Sequence, residues 1–283
     1  MQRKILMIIV SLILILLFFS SPLLASEKLQ IRIWADKNIY LVYEPIIVHY
    51  EIKNLGDSTF TVYETFDGLK GMFKIKNENG KDYFSMMIND YASPSVLQPD
   101  SSYQGCEEIS DRYGVTDSGK YICFLPVSGS QSNVLKIKLI VPEGNEKKSL
   151  NLYLEAEKLH WCKDKDPEKW KLGFLKYLEV VEKYPHSVYA PKALSSASLI
   201  YLFSNNKEDK RKIIPVYKKL IENYPDSSLF ALAFSGLIDA YADLKDKNSA
   251  IETMKELITK HPNTKISERA EYWLEKVEKW EFK

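Results

Sequence analysis

Tyr184-Pro185-His186-Ser187, Tyr224-Pro225-Asp226-Ser227 and His261-Pro262-Asn263-Thr264 are three versions of one phrase: an aromatic or His, then Pro, then a spacer, then a hydroxyl. Their prolines lie 40 and 37 residues apart. Pro ends the helix before it, and the hydroxyl caps the next by accepting a backbone N–H. Alignment on the prolines extends the period. Twelve residues ahead stand Gly173, Ile213 and Ala250; eight ahead, Tyr177, Tyr217 and Met254; five ahead, Val180, Leu220 and Leu257. Eight residues after come Ala193, Ala233 and Ala270, and twelve after, Ala197, Leu237 and Leu274. Large apolar residues at helical spacing fill a seam, and the small residue lets two helices approach. Residues 144–283 are thus predicted to be an all-α stack of hairpins, defined by Tyr184, Pro185, Tyr224, Pro225, His261 and Pro262 with Ala193, Ala233 and Ala270. Pro215 falls where a helix should be under way, which predicts a late start or a kink. Glu271 and Glu275 replace apolar positions, as suits a final capping helix with one wet face.

Ahead of this the period is two. Leu29, Ile31 and Ile33 share a face, as do Val48, Tyr50 and Ile52; Phe60, Val62 and Tyr63 follow, then Met72, Phe73 and Ile75. Asn79-Gly80 favours the positive φ of a hairpin turn. Val134, Leu135, Ile137, Leu139 and Val141 close the region, and Pro142 and Gly144 mark a boundary. Strands about ten residues apart predict an all-β two-layer antiparallel sandwich over 27–143.

Two resemblances add to this reading. Asp117-Ser118-Gly119-Lys120-Tyr121-Ile122-Cys123 resembles the immunoglobulin pattern in which Tyr two residues before Cys makes a corner. Leu97-Gln98-Pro99-Asp100-Ser101-Ser102-Tyr103 resembles the start of a middle strand in bacterial sandwich domains. With Phe73-Lys74-Ile75, the order is similar to the bacterial intracellular proteinase inhibitors, which implies the fold. The chain departs from antibody-type domains: no early-strand Cys and no following core Trp occur, and Trp34 sits in the first strand. The Tyr-Pro-x-Ser turns resemble tetratricopeptide repeats, in the long form of the lipoprotein subunit of the outer-membrane β-barrel assembly machinery. That resemblance implies protein binding, with exposed members of 187–204 and 226–243 as groove candidates. The period departs from the usual 34 residues.

Residues 1–26 read as a signal peptide. Arg3 and Lys4 precede an apolar run from Ile5 to Phe19, broken only by Ser11, and small residues end at Ala25-Ser26. An uncleaved anchor is the other reading, and membrane contact is then confined to this segment. No Cys lies near the cut, so there is no lipobox. The expectation is an exported chain, periplasmic or extracellular. The chain has 39 Lys and Arg against 38 Asp and Glu. Loss of Arg3 and Lys4 leaves the remainder nearly neutral, which argues against a nucleic-acid partner.

Cys106, Cys123 and Cys162 are the cysteines. Cys106 and Cys123 flank Tyr113-Gly114, and two readings stand: a disulfide across the corner, or two buried thiols. Neither CxxC, HExxH, GxSxG, a phosphate loop nor a dinucleotide fingerprint occurs. His160-Trp161-Cys162 are neighbours that point apart on a helix. Asp164-Lys165-Asp166 begins like a calcium loop, but Lys169 and Leu175 stand where Gly and Glu belong. Glu107, Glu108 and Asp111 read as a solvated edge. The chain is therefore expected to be no enzyme, with no cofactor or metal. Its expected role is to dock an unidentified envelope protein or peptide, with protease inhibition through the sandwich as the alternative.

Overall fold

The computed structural model describes residues 29–65, 68–69, 73–85, 93–162, 166–202, 207–227, 229–262 and 265–278. The signal-like segment, Met72 and Asp164-Lys165 lie outside the described residues, as does the cap expected from Thr264. Two compact units are present. The first holds residues up to Asn38, Ile47–Gly114 and Lys120–Ile137. The second holds Ile39–Ile46, Val115–Gly119 and everything from Lys138.

Alternation builds the first unit. In chain order the strands are β1 (Leu29–Ala35), β2 (Ile39–Leu41, in the second unit), β3 (Ile47–Asn54), β4 (Phe60–Thr65), β5 (Gly68–Leu69), β6 (Lys74–Asn77) and β7 (Asp82–Tyr83). Strands β8 (Ser93–Leu97), β9 (Ser102–Glu108), β10 (Gly119–Phe124), β11 (Pro126–Val127), β12 (Ser130–Gln131) and β13 (Leu135–Ile140) follow, with a short helix α1 (Ser110–Tyr113) after β9. An antiparallel sheet has the order β1-β3-β9, a mixed sheet has the order β2-β13-β10-β6-β7 with β2 parallel to β13, and a third sheet has the order β5-β4-β8. The inward residues Ile33, Val48, Tyr50, Ile52, Phe73, Ile75, Cys123 and Ile137 are almost wholly buried. Asn77-Glu78-Asn79-Gly80 turns as its sequence predicts: Gly80 has φ 79° and its N–H bonds Asn77 O at 3.0 Å.

Two expectations are corrected in this unit. Cys106 and Cys123 form no disulfide. Cys106 lies on β9 opposite His49, while Cys123 lies on β10 opposite Ile75 in the other sheet. Cys106 is exposed and Cys123 fully buried, so the two point into different surroundings. The acidic run is not uniformly solvated either. The alternation that exposes Cys106 turns Glu107 inward, where its carboxylate meets Arg112 Nε at 3.2 Å with both side chains almost wholly buried. Arg112 Nε also reaches Ser85 Oγ at 3.4 Å. The Tyr113 hydroxyl accepts from Phe73 N–H at 3.2 Å, and burial, then the Glu107 charge, push its ionisation far up. The Cys123 thiol is raised by the same two causes in the same order.

The second unit is helical: α2 (Gly144–His160), α3 (Pro167–Lys183), α4 (Tyr189–Leu202), α5 (Lys207–Asn223), α6 (Phe230–Asp243), α7 (Lys247–Lys260) and α8 (Lys265–Glu278). Side-chain acceptors mark the starts of α3 and α7. Asp166 accepts from Glu168 N–H with Pro167 in the first turn, and Asp246 accepts from Ser249 N–H. Ser187 and Ser227 do likewise, accepting from Tyr189 and Leu229 N–H, both at 3.2 Å. The repeat positions lie in the core: Tyr177, Val180, Ala193, Ala197, Ile213, Tyr217, Leu220, Ala233, Leu237, Ala250, Met254, Leu257 and Ala270 are all buried. Helix α5 corrects the late start expected from Pro215. It begins at Lys207 and passes through that residue, whose ring sits on the exposed side.

The segment Ile39–Ile46 belongs to this helical unit. Its β2 pairs in parallel with Lys138–Ile140 of β13. Tyr43 turns through φ 65°, Tyr189 Oη donates to Val42 O at 2.7 Å, and Lys192 Nζ donates to Tyr43 O at 3.0 Å. Lys192 also lies 5.7 Å from the centre of the Tyr153 ring, so a buried ammonium is met by a carbonyl and a π face.

A Cβ built on Gly236 would stand 2.3 Å from Tyr217 Cζ, so α6 approaches α5 only because position 236 has no side chain. Gly236→Ala is expected to destabilise the chain by about 1–3 kcal/mol, the range for overpacking, read as a lowered midpoint in urea. Arg112→Met leaves the Glu107 charge buried without its counter-ion. The same measurement should then show a loss of about 3–5 kcal/mol.

Candidate functional site

The solvent faces of α4, α6 and α8, the first helices after each Tyr-Pro or His-Pro turn, form the candidate surface. Stacking fixes them. Tyr224 Oη donates to Pro185 O at 2.9 Å, which ties one turn to the turn before it. The His261 ring packs against Phe230 at 4.4 Å and Phe234 at 6.4 Å between ring centres. The expected groove stripes are mostly core: Leu194, Ala197, Phe234, Leu237 and Tyr241 are buried, and Tyr201 is half-buried against Phe174. What remains outside is narrow. Leu199 on α4, Leu232 and Asp239 on α6, and Tyr272 and Trp273 on α8 are exposed. Tyr272 and Trp273 meet edge to face at 5.6 Å, with Lys276 Nζ 4.2 Å from the Tyr272 ring centre. Glu271 and Glu275 are exposed beside them, the wet face expected of the last helix.

Neither Tyr184 nor Tyr224 offers an open ring: both are half-buried, and burial raises the Tyr224 phenol. Pro185, Pro225 and Pro262 are exposed at the turns, while Ala193, Ala233 and Ala270 are enclosed. The sequence reading missed the aromatic pair on α8. Its signal was available: Tyr272-Trp273 puts two adjacent rings on a helix whose apolar positions are already filled by Ala270 and Val277.

A second cluster joins α2 to α3. Tyr177 Oη donates to Glu157 Oε1 at 2.6 Å and lies 3.4 Å from His160 Nδ1, and Trp161 stacks on His160 at 4.6 Å. Burial pulls the His160 imidazole below its ordinary 6.5, against the opposing charge of Glu157. Among the described residues no group of three His, Cys, Asp or Glu could hold a metal ion, and no helix is long and apolar enough to cross a membrane.

Residues 233–264, which run from α6 through α7, match the family model of the tetratricopeptide repeat. The helical region carries tetratricopeptide-like repeats. No curated protein matches the chain. Similar solved structures include a β-glucosidase from Erythrobacter marinus, at 11% identity over 40% of this chain and 15% of that one, with a TM-score of 0.30. A β-glucosidase from Listeria innocua has 12% identity over 40% and 16%, with a TM-score of 0.29. The chain spans about a sixth of the length of either enzyme. The sporulation control protein Spo0M from Bacillus subtilis has 10% identity over 46% and 54%, with a TM-score of 0.25.

Because the folded state lowers the His160 value, the unfolded chain takes up this proton first as pH falls. Its stabilising contribution is whole above pH 6.5 and is lost as pH falls through the folded value. Thermal melts followed by helical circular dichroism should therefore fall between about pH 7.5 and about pH 5.5, and His160→Gln should flatten that slope.

Proposed function

We propose that the protein is a non-catalytic scaffold, exported to the cell envelope, that docks a protein or peptide partner through its helical repeats. The observation that carries this reading is the tetratricopeptide match over 233–264 together with exposed Leu199, Leu232, Tyr272 and Trp273 on the first helices. Stacked repeats present extended surfaces suited to protein binding. Export rests on the basic, apolar and small-residue order of residues 1–26.

The first unit is read as an immunoglobulin-like sandwich. The order β13-β10-β6-β7 follows the G-F-C-C′ sheet of that fold, and β1-β3-β9 follows A-B-E.

Pull-down from an envelope extract, with the bound protein identified by cross-linking, tests the docking face. Leu232→Asp and Trp273→Asp both replace exposed apolar side chains, so the fold should survive. Each is expected to cut recovery of that partner by about tenfold or more, as loss of a central aromatic or apolar anchor does. Unchanged recovery with both variants rules out the proposed face.

A further inference from the structure

The outward face of the β1-β3-β9 sheet carries a Cys–His–Asp constellation that the scaffold reading does not use. Trp34, His49 and Cys106 are direct cross-strand partners, in one row across the three strands. Their common face follows from alternation: His49 stands between Val48 and Tyr50, both fully buried, and Cys106 precedes buried Glu107. Directly opposed residues have Cβ atoms about 4.5–5.5 Å apart, so His49 is the cross-strand neighbour of the thiol. The imidazole is held on two sides. It stacks on Trp34 at 5.5 Å and 14°, and its Nε2 lies 3.4 Å from Asp36 Oδ1. In the tautomer that donates Nε2–H toward Asp36, Nδ1 is the acceptor. The thiol is on the edge strand and exposed, so a small reagent can approach it.

The geometry points to Cys106 as a thiol–disulfide exchange site, whose co-reactant is a low-molecular-weight disulfide and whose proton acceptor is His49 positioned by Asp36. In the step, His49 takes the thiol proton and the thiolate attacks one sulfur of the disulfide R–S–S–R. A Cys106–S–S–R bond forms as the S–S bond of the reagent breaks, and RS⁻ leaves and takes up the proton as RSH. One thiol is consumed and one released, so no other oxidant enters. The other thiols differ in kind. Cys123 is fully buried, with its thiol raised by burial and by Glu107, while Cys162 is half-exposed after α2. Charged groups sharing the face with Cys106 are Glu108 on its own strand, His49, Glu51 and Lys53 on β3, and Arg32 and Asp36 at β1. Glu51 is engaged by Gln104 Nε2 at 2.9 Å, and Arg32 lies over Trp34.

The test treats the full folded chain with oxidised glutathione at about pH 7 and about pH 6 and follows each cysteine-containing peptide by mass spectrometry without reduction. Cys106 should acquire the glutathione adduct first, and Cys106→Ser should abolish it. The expected gain over Cys162 is about three- to tenfold. His49→Gln should remove that gain, and Asp36→Asn, at a well-exposed position, should remove part of it without disturbing the fold. A Cys106 adduct that forms at the same rate in both variants, or one that forms no faster than at Cys162, overturns the assignment.

Discussion

The Tyr217 ring occupies the space that a side chain at position 236 would need. The rest of the helical unit is arranged around that contact. Tyr217 is carried by α5, its hydroxyl bonds Ser198 on α4, and its ring lies over Gly236 on α6. One buried phenol thus sets the separation of three consecutive helices. The Tyr224 bond to the Pro185 carbonyl sets the distance between turns on the outside of the same layer. With the C-terminal half of α5 held this way, Pro215 remains inside the helix on its wet side. The neighbouring contacts outweigh the backbone bond that the proline cannot make.

Each unit buries a charged side chain. In the β unit, Glu107 is paired with Arg112 and touches the environment of Tyr113 and Cys123, where its negative charge raises both. In the helical unit, buried Lys192 donates to the Tyr43 carbonyl and lies beside the Tyr153 ring. The first arrangement binds the short helix α1 to its strand. The second holds the left-handed turn at Tyr43 onto α4. Neither cluster opens to solvent, so both act on stability rather than on a ligand.

The outer surfaces carry what the cores do not need. On the β1-β3-β9 sheet, alternation places Trp34, His49 and Cys106 in one row. On the helices, packing consumes nearly every apolar stripe and leaves Leu232 and the Tyr272-Trp273 pair uncovered. A residue type alone does not separate these cases: Tyr177 and Tyr272 are both helical tyrosines, one wholly enclosed and the other half-exposed.

The helical repeat and the change of period near Pro142 were legible in the sequence, because Pro, small residues and helical spacing act through local sterics. The Asn79-Gly80 turn was legible for the same reason. Lateral relations were not. Cys106 and Cys123 are close along the chain, yet strand pairing sends them to different sheets, and His49, distant in sequence, becomes the neighbour of Cys106. Glu107 looked like one of several surface acids until strand alternation turned it inward toward Arg112. The assignment of Ile39–Ile46 to the helical unit depends on hydrogen bonds from Tyr189 and Lys192, which no local pattern encodes. Short-range preferences are written residue by residue, whereas register and the partner across a sheet exist only once the chain has packed.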